Sequence, residues 1–457
     1  METKKKLGFF SILALAFSSV FSLELISSQA KLGPSLIVNF IFIGCTYFLA
    51  HGLICAELGS TYPDQGGIYV WVKRAYGDKW AARTTWWYWL NVAGFIPATA
   101  VVMVSIVKEM FFPNLSVWGI VLICIACVWF VVIFNCIDLQ KAQWLPIISS
   151  ISKVLVTFVL IAGGLYSSFT HGVQHSFATD SWLPEWDLSF AALIPVYVYS
   201  VTGFDLISCS AGELENPRKN VPKTVFLSGF FTIFFYILSA SAIIMVLPTG
   251  SISETSGLFD TVVAMFGSKW LVNVIGIVTF VGFLGYVFGW ALGGNKVALE
   301  AGESGELPKF FAKTNRAYAP VGSAVLLGIV STGLLIFYGI TASTSESLFW
   351  TLLAFTSIIF FLPYIVLSFT FLKLRKMDQA IKRPFKVPFG KKTAYLVAIV
   401  HAIFLVFSSI SFLIPPEGDN PHLYVISLIV GLALSIGCGE GLIYLAMKQQ
   451  KASVLDA

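Results

Sequence analysis

The sequence predicts an all-α integral membrane protein of twelve transmembrane helices, and three observations lead to that class. Of 457 residues, 57% are hydrophobic and only 12% charged, with a mean hydropathy of +0.83. That excludes a water-soluble enzyme and any sizeable soluble domain. The apolar residues gather in twelve runs, about 8–30, 34–57, 83–111, 116–137, 142–168, 188–212, 223–248, 270–298, 320–341, 346–372, 393–414 and 421–446. Each is near the roughly 20 residues that carry a helix across a ~30 Å hydrocarbon core, and none alternates as a barrel strand would. Finally, with both termini in the cytoplasm, 25 of the 29 Lys and Arg fall in the tails, the inner loops or their flanking helix ends. The exceptions are Lys31, Lys108, Lys153 and Lys269. Loop 169–187 has no Lys or Arg, whereas loop 373–392 carries eight, which is the positive-inside pattern. The net charge of +5 therefore reports orientation in the lipid bilayer, and no nucleic-acid partner is implied.

The first and sixth runs share a motif. Ser19-Val20-Phe21-Ser22-Leu23-Glu24-Leu25 reads against Ser200-Val201-Thr202-Gly203-Phe204-Asp205-Leu206, 181 residues on, with three identities and a Glu/Asp exchange. Pairing the copies divides the chain into a core of 1–376, with helices 1–5 over about 8–168 and 6–10 over about 188–372. Residues 377–457 supply two extra helices and a short tail. Five spans per half force the second copy to insert upside down, so a 5+5 inverted repeat is expected. The start of the chain also has the outline of a cleaved leader, with Lys4-Lys5-Lys6, an apolar run and Ser28-Gln29-Ala30. Glu24 and the repeat argue that the segment is retained.

Such matched, small-residue interruptions mark substrate sites in transporters, and a carboxylate in lipid marks a solute or ion pathway. The expected substrate-binding residues are Ser18, Ser19, Val20 and Glu24 in the first run, and Ser200, Thr202, Gly203 and Asp205 in the sixth. Unwinding is expected at Ser18-Ser19 and at Thr202-Gly203, where hydroxyls satisfy freed backbone groups and glycine tolerates the dihedrals. The half-helix ends would present N–H groups to a carboxylate and C=O groups to an ammonium. The structural alternative is that these small residues simply pack helices together. At 1.5 Å per residue, Glu24 and Asp205 each lie ~25 Å along their runs, on either side of the midplane. They either receive the cationic ends of a substrate or serve as a vestibule wall and a proton-sensing or structural acid. Lys153 lies ~18 Å into the fifth run, awkward for snorkelling to the surface, so it must pair, neutralise or line a wet cavity. All seven Cys lie in apolar runs, and Cys124-x-x-Cys127 has no second pair, so buried thiols rather than metal ligands are expected. His51, Glu57, Glu213 and Glu440 are read as helix-end or packing residues. No cofactor signature is found.

Three stretches carry a family resemblance. Ala56-Glu57-Leu58 with Pro63-Asp64-Gln65-Gly66-Gly67-Ile68-Tyr69-Val70-Trp71 resembles a signature of the amino acid–polyamine–organocation superfamily. So does Gly212-Glu213-Leu214-Glu215-Asn216-Pro217-Arg218-Lys219-Asn220-Val221-Pro222. Lys382-Arg383-Pro384-Phe385-Lys386-Val387-Pro388, with Phe412-Leu413-Ile414-Pro415-Pro416, is similar to the glutamate/GABA antiporter branch. The resemblance implies a multi-pass cell (plasma or inner) membrane exchanger working by alternating access. It implies that Trp290 stacks on substrate, that Tyr199 is a gating aromatic, and that Asn91 and Thr356 are pocket residues. It also implies that Lys153 stands where sodium-coupled relatives bind sodium, removing sodium dependence. Many members have Gly-Ser-Gly or Gly-Thr-Gly at the first break. Here the stretch is Ser18-Ser19-Val20-Phe21, so an altered carboxylate pocket is expected.

The expected function is exchange of an amino acid or polyamine for its decarboxylation or deimination product, of agmatine/putrescine or tyrosine/tyramine type. A proton-coupled amino acid symporter or uniporter of the same fold is the alternative. The partners are a small amino acid, amine or polyamine and the bilayer, and a homodimer stays open. An enzyme is not expected, because no metal-ligand pair or Ser/His/Asp set is present.

Overall fold

The computed structural model describes residues 9–63, 66–137, 144–177, 180–205, 208, 216–416 and 419–455. Outside these lie Lys4 to Lys6, Asp64 and Gln65 of the first signature, Leu206 of the repeat, Cys209, and Gly212 to Glu215 of the second signature. The described residues form helices and no strand. In chain order these are α1 (Phe9–Val20), α2 (Ile26–Ala30), α3 (Ser35–Thr61), α4 (Ile68–Tyr76), α5 (Asp78–Phe111), α6 (Val117–Asn135), α7 (Trp144–His171) and α8 (Leu188–Ser200). There follow α9 (Pro217–Val246), α10 (Gly257–Phe266), α11 (Lys269–Glu303), α12 (Val321–Thr341), α13 (Ser345–Met377), α14 (Gly390–Ser411) and α15 (Pro421–Leu455).

Ten of these helices are long and apolar enough to cross a membrane. They match ten of the twelve apolar runs. The other two runs, 8–30 and 188–212, carry the repeated motif, and neither forms a continuous helix over its described residues. Propensity does not explain the interruptions, since both runs are as apolar as their neighbours. Their backbone departs from the helix where small polar residues and a glycine gather.

The chain packs as two compact units, each assembled from separate stretches of sequence. The first comprises 1–84, 176–241 and 361–411. It holds both interrupted helices, α3, α4, α14, most of α9 and the second half of α13. Helix α3 widens into a π turn over Gly44–Phe48, where the Thr46 hydroxyl donates to the Phe42 carbonyl at 2.6 Å. Such a turn shifts the side chains that follow, and π turns occur often at functional sites.

The second unit comprises 85–175, 242–360 and 412–457. Its centre is α5, with 94% of its most apolar window buried. Here α7 and α11 meet through small residues: a Cβ on Gly282 would stand 2.7 Å from the Ser152 Cβ. Without a hydrophobic drive between helices in lipid, that closeness lets dispersion hold them. The outward faces of α6 and α7 keep Leu122, Ile133, Phe158 and Phe169 exposed, as a lipid-facing surface requires.

Candidate functional site

In the first unit α1 runs unbroken through Ser18 and Ser19 to Val20, and the chain leaves the helix at Phe21-Ser22. This corrects the expected break at Ser18-Ser19. Ser22 is extended (φ −118°, ψ 112°), and a short 3-10 turn over Leu23–Leu25 leads into α2. A break in an apolar interior frees backbone groups that must find partners. The Ser22 N–H donates to the Tyr236 hydroxyl of α9 at 2.8 Å, and the Tyr236 ring lies against Phe21 (4.7 Å) and Phe40 (5.6 Å). Glu24, 3% exposed, follows two residues after Ser22.

The second copy behaves alike. Helix α8 ends at Ser200, and Thr202 and Gly203 are non-helical, as expected. Gly203 has φ +107°, a dihedral that side chains rarely adopt. The Thr202 hydroxyl donates to the Val198 carbonyl (2.7 Å), so the Tyr47 hydroxyl from the π turn donates to Thr202 (2.7 Å). Ser200 is buried and donates to the Tyr197 carbonyl at 2.8 Å, while the Tyr199 ring meets Phe361 edge-on at 6.2 Å. Asp205, fully buried, again stands two residues after the break. Tyr364 donates to its Oδ1 at 2.8 Å, and its Oδ2 has no hydrogen-bond partner among the described residues. Both breaks therefore fall at the same motif position, Phe21-Ser22 against Thr202-Gly203.

The same unit contains a polar group that sequence reading assigned to packing. His51 stands within α3, not at a helix end, and its Nδ1 lies 3.0 Å from His401 Nε2. His401 Nδ1 is 2.8 Å from the Ser368 hydroxyl. Glu57 is a helix-end residue, as expected, and is gripped at both oxygens. Arg375 Nε and Nη2 reach its Oε1 and Oε2 at 2.7 and 2.6 Å, Arg383 Nε lies 3.1 Å away, and the Val387 N–H donates at 2.7 Å. Arg383 and Val387 belong to the basic motif and Glu57 to the first signature, so the two signatures are the halves of one clasp. Tyr236, His51, His401 and Tyr364 were missed because a lone Tyr or His in an apolar run carries no periodic or spacing signal.

In the second unit, Trp290 is half-buried among Tyr88 (6.5 Å), Phe95 (5.7 Å) and Tyr286 (6.4 Å). Lys153, 2% exposed, holds its ammonium 3.1 Å from the centre of the Tyr286 ring. Asn91 and Thr356 meet: the Thr356 hydroxyl is 2.8 Å from both the Asn91 carbonyl and its Oδ1. That bond ties α5 to α13 and uses the polar atoms that a pocket would need. The six described Cys, including Cys124 and Cys127, are free thiols.

Interrupted helices beside buried acids, set among long apolar helices, define a multi-pass membrane transporter. The family model for amino acid permeases matches residues 7–434. The chain belongs to that family, a branch of the amino acid–polyamine–organocation superfamily of cell-membrane transporters, and is not an enzyme. It is 30% identical over 442 residues to a probable agmatine/putrescine antiporter of Lactococcus lactis, covering 96% of this chain and 94% of that one. An uncharacterized transporter of Legionella pneumophila is 28% identical, covering 95% and 96%. A glutamate/gamma-aminobutyrate antiporter of Lactococcus lactis is 22% identical, covering 94% and 89%.

Proposed function

We propose that the chain is a sodium-independent antiporter that exchanges a small dicationic amine for a related one, agmatine for putrescine being the first pair to test. The observation that carries this reading is the pair of helix breaks, each followed two residues on by a buried carboxylate, Glu24 and Asp205. A carboxylate in the apolar interior is stable as an anion only opposite a positive charge. Agmatine and putrescine each carry two cationic ends at neutral pH, so either matches two acids, and their one-for-one exchange moves no net charge. The relative named for this exchange supports the choice; tyrosine/tyramine, a zwitterion and a monocation, is the alternative pair should the dicationic amines fail.

Alternating access is read onto a 5+5 inverted repeat. Residues 9–30 and 188–205 supply the two discontinuous spans that bring ten to twelve, with both termini cytoplasmic. Ser18, Ser19, Val20, Tyr199, Ser200, Thr202 and Gly203 form the wall beside the two acids in the first unit; in the second unit, Trp290 is the aromatic that stacks on substrate. Asn91 and Thr356 serve as pocket residues of the second unit, held by their mutual bond. Lys153 serves as a tethered cation in place of sodium.

The test is uptake of labelled putrescine by proteoliposomes. Vesicles loaded with unlabelled agmatine should take it up at least tenfold faster than empty ones, without sodium. Equal uptake by empty vesicles, driven by an imposed pH gradient, would instead establish the proton-coupled symporter or uniporter.

A further inference from the structure

We propose that the buried His51–His401 pair, with Asp205, forms an exchangeable proton-binding site in the first unit. His51 is 0% exposed, as are His401 and Asp205. A nitrogen of His51, the Cys55 thiol and an Asp205 oxygen all lie within 4.8 Å of one another. Among the described residues the Asp205 carboxyl takes a side-chain hydrogen bond from Tyr364 at Oδ1, its Oδ2 has no hydrogen-bond partner, and no Lys or Arg pairs with it. A carboxylate so placed cannot stay charged alone. It takes a proton itself, or the neighbouring imidazole takes one and becomes its counter-ion. Either way the cluster is neutral with one proton more than a bare carboxylate and two neutral rings.

The geometry also lets a proton pass from one ring to the other. Between His51 Nδ1 and His401 Nε2 there is room for one hydrogen, at 3.0 Å. If His51 supplies it, His401 Nδ1–H donates to Ser368, whose hydroxyl donates on to the Tyr364 carbonyl at 3.3 Å. If His401 supplies it, Ser368 donates to His401 Nδ1, and the far nitrogen of His51 carries the second hydrogen, facing Cys55 at 3.6 Å. Each arrangement keeps one hydrogen per ring. The two interconvert as one proton enters at His51 Nε2, the Nδ1 proton crosses to His401 Nε2, and the His401 Nδ1 proton leaves to the Ser368 hydroxyl, which gives up its own; only N–H and O–H bonds form and break.

The site is joined to the second break. Tyr47 lies parallel to both imidazoles, 5.9 Å from His51 and 5.4 Å from His401. Its hydroxyl holds Thr202, while Tyr364 meets His51 edge-on at 5.4 Å and holds Asp205. A charge on the imidazoles therefore acts on Thr202 and Asp205, one on each side of Gly203. The ionisable groups facing the pair are Tyr47 and Cys55 from α3, Asp205 after α8 and Tyr364 from α13, with Ser368 and Thr202 as neutral partners. The transport consequence rests on the exchange reading, whereas the proton site does not.

The protein has five His, and His171, His175 and His422 lie outside the cluster. In the H171Q/H175Q/H422Q background, nitrogen-15-labelled histidine would report the two remaining rings by NMR in lipid nanodiscs between about pH 5 and about pH 9. The expected result is a tautomer change or a histidinium signal shared by both rings, with its fraction at fixed pH falling about tenfold in Asp205→Asn, the loss of a charge partner. Two neutral rings with fixed tautomers throughout, unmoved by Asp205→Asn, together with a carbon-13 carboxyl signal of Asp205 that stays ionised over the same range, would overturn the proposal. In vesicles, His401→Gln should flatten the pH profile of putrescine exchange, and an unchanged profile in folded protein would also count against it. If no exchange occurs in the wild type, the functional reading fails while the NMR result still decides the proton site.

Discussion

The Ser22 N–H and the Tyr236 hydroxyl meet at 2.8 Å, and this bond satisfies a donor that the break in the first helix sets free. Ser22 and Tyr236 are both buried, at 4% and 0% exposure, so water does not compete for the amide. Tyr236→Phe keeps the ring against Phe21 and Phe40 but deletes the acceptor. A buried amide without an acceptor costs about 1–3 kcal/mol. The expected outcome is a lower unfolding midpoint in detergent, by several degrees, together with reduced exchange. Tyr236→Phe protein with wild-type stability and uptake would show that the amide finds another acceptor.

Gly203 poses the same question at the second break through its backbone. Its φ of +107° lies where a Cβ is strained, and the cost is about 1–3 kcal/mol. Gly203→Ala should therefore push Thr202 and Asp205 away from Tyr47 and Tyr364. Transport should fall at least tenfold, with a smaller loss of stability. Gly77 has φ +82° at the surface with open space around it, so Gly77→Ala is the control: strained backbone, unaffected transport.

How much of this was legible in the residues depends on the length of the signal. Ten continuous helices follow from runs of roughly 20 apolar residues, a pattern repeated many times over. The second break was readable because Gly203 marks a dihedral that other residues avoid. The first was misplaced to Ser18-Ser19, since serines are tolerated inside helices when their hydroxyls bond back to the preceding turn. The repeat held the right answer: aligning Ser22 with Gly203 puts both breaks in register. His51 and His401, separated by 350 residues, meet only through tertiary packing, which no single-chain spacing reveals.

The clasp on Glu57 makes a stability prediction. Its carboxylate is 1% exposed and bound by Arg375, Arg383 and the Val387 amide, so deleting it leaves two guanidinium groups without their partner. Breaking one side of a buried ion pair costs about 3–5 kcal/mol. Glu57→Ala should then be poorly expressed and aggregate on extraction. Glu57→Gln keeps the shape and one acceptor oxygen and should recover part of the loss. Size-exclusion profiles of the two variants check the order.

Asp378, just beyond α13, gives a pH dependence with a definite sign. The hydrogen bond from Arg74 Nε, 2.7 Å long, holds its carboxyl below the usual carboxylate range, with the Tyr62 hydroxyl at 2.8 Å assisting against partial burial. On the other side of that bond, burial first and then Asp378 push the Tyr62 phenol up to about 12. A depressed carboxylate stabilises the fold above its unfolded pKa of about 4, and that stability is lost as pH falls through the lower folded value. Because the Arg74 side chain is 45% exposed, the contribution should stay under about 1 kcal/mol. Acidification from about pH 5 to about pH 3 should lower the wild-type unfolding midpoint more than that of Asp378→Asn. Equal slopes would mean that the Arg74 contact forms equally in the unfolded chain.

Lys153 and Trp290 are linked through one ring, Tyr286, which takes the ammonium on its face at 3.1 Å and meets the indole edge-on at 6.4 Å. A desolvated cation on an aromatic face is worth about 2 kcal/mol, so this contact fixes the ring and with it the indole. Trp290→Ala should abolish exchange and leave the protein folded, because the indole is only half-buried. Lys153→Met keeps the stem but removes the charge. It should lower exchange through a misplaced ring, and more so in Tyr286→Leu, where neither face nor edge remains. Replacing sodium by choline should leave the wild-type rate unchanged. If Lys153→Met instead transports normally, and only in sodium, the lysine occupies an ion site without any part in holding Trp290, and the two roles separate.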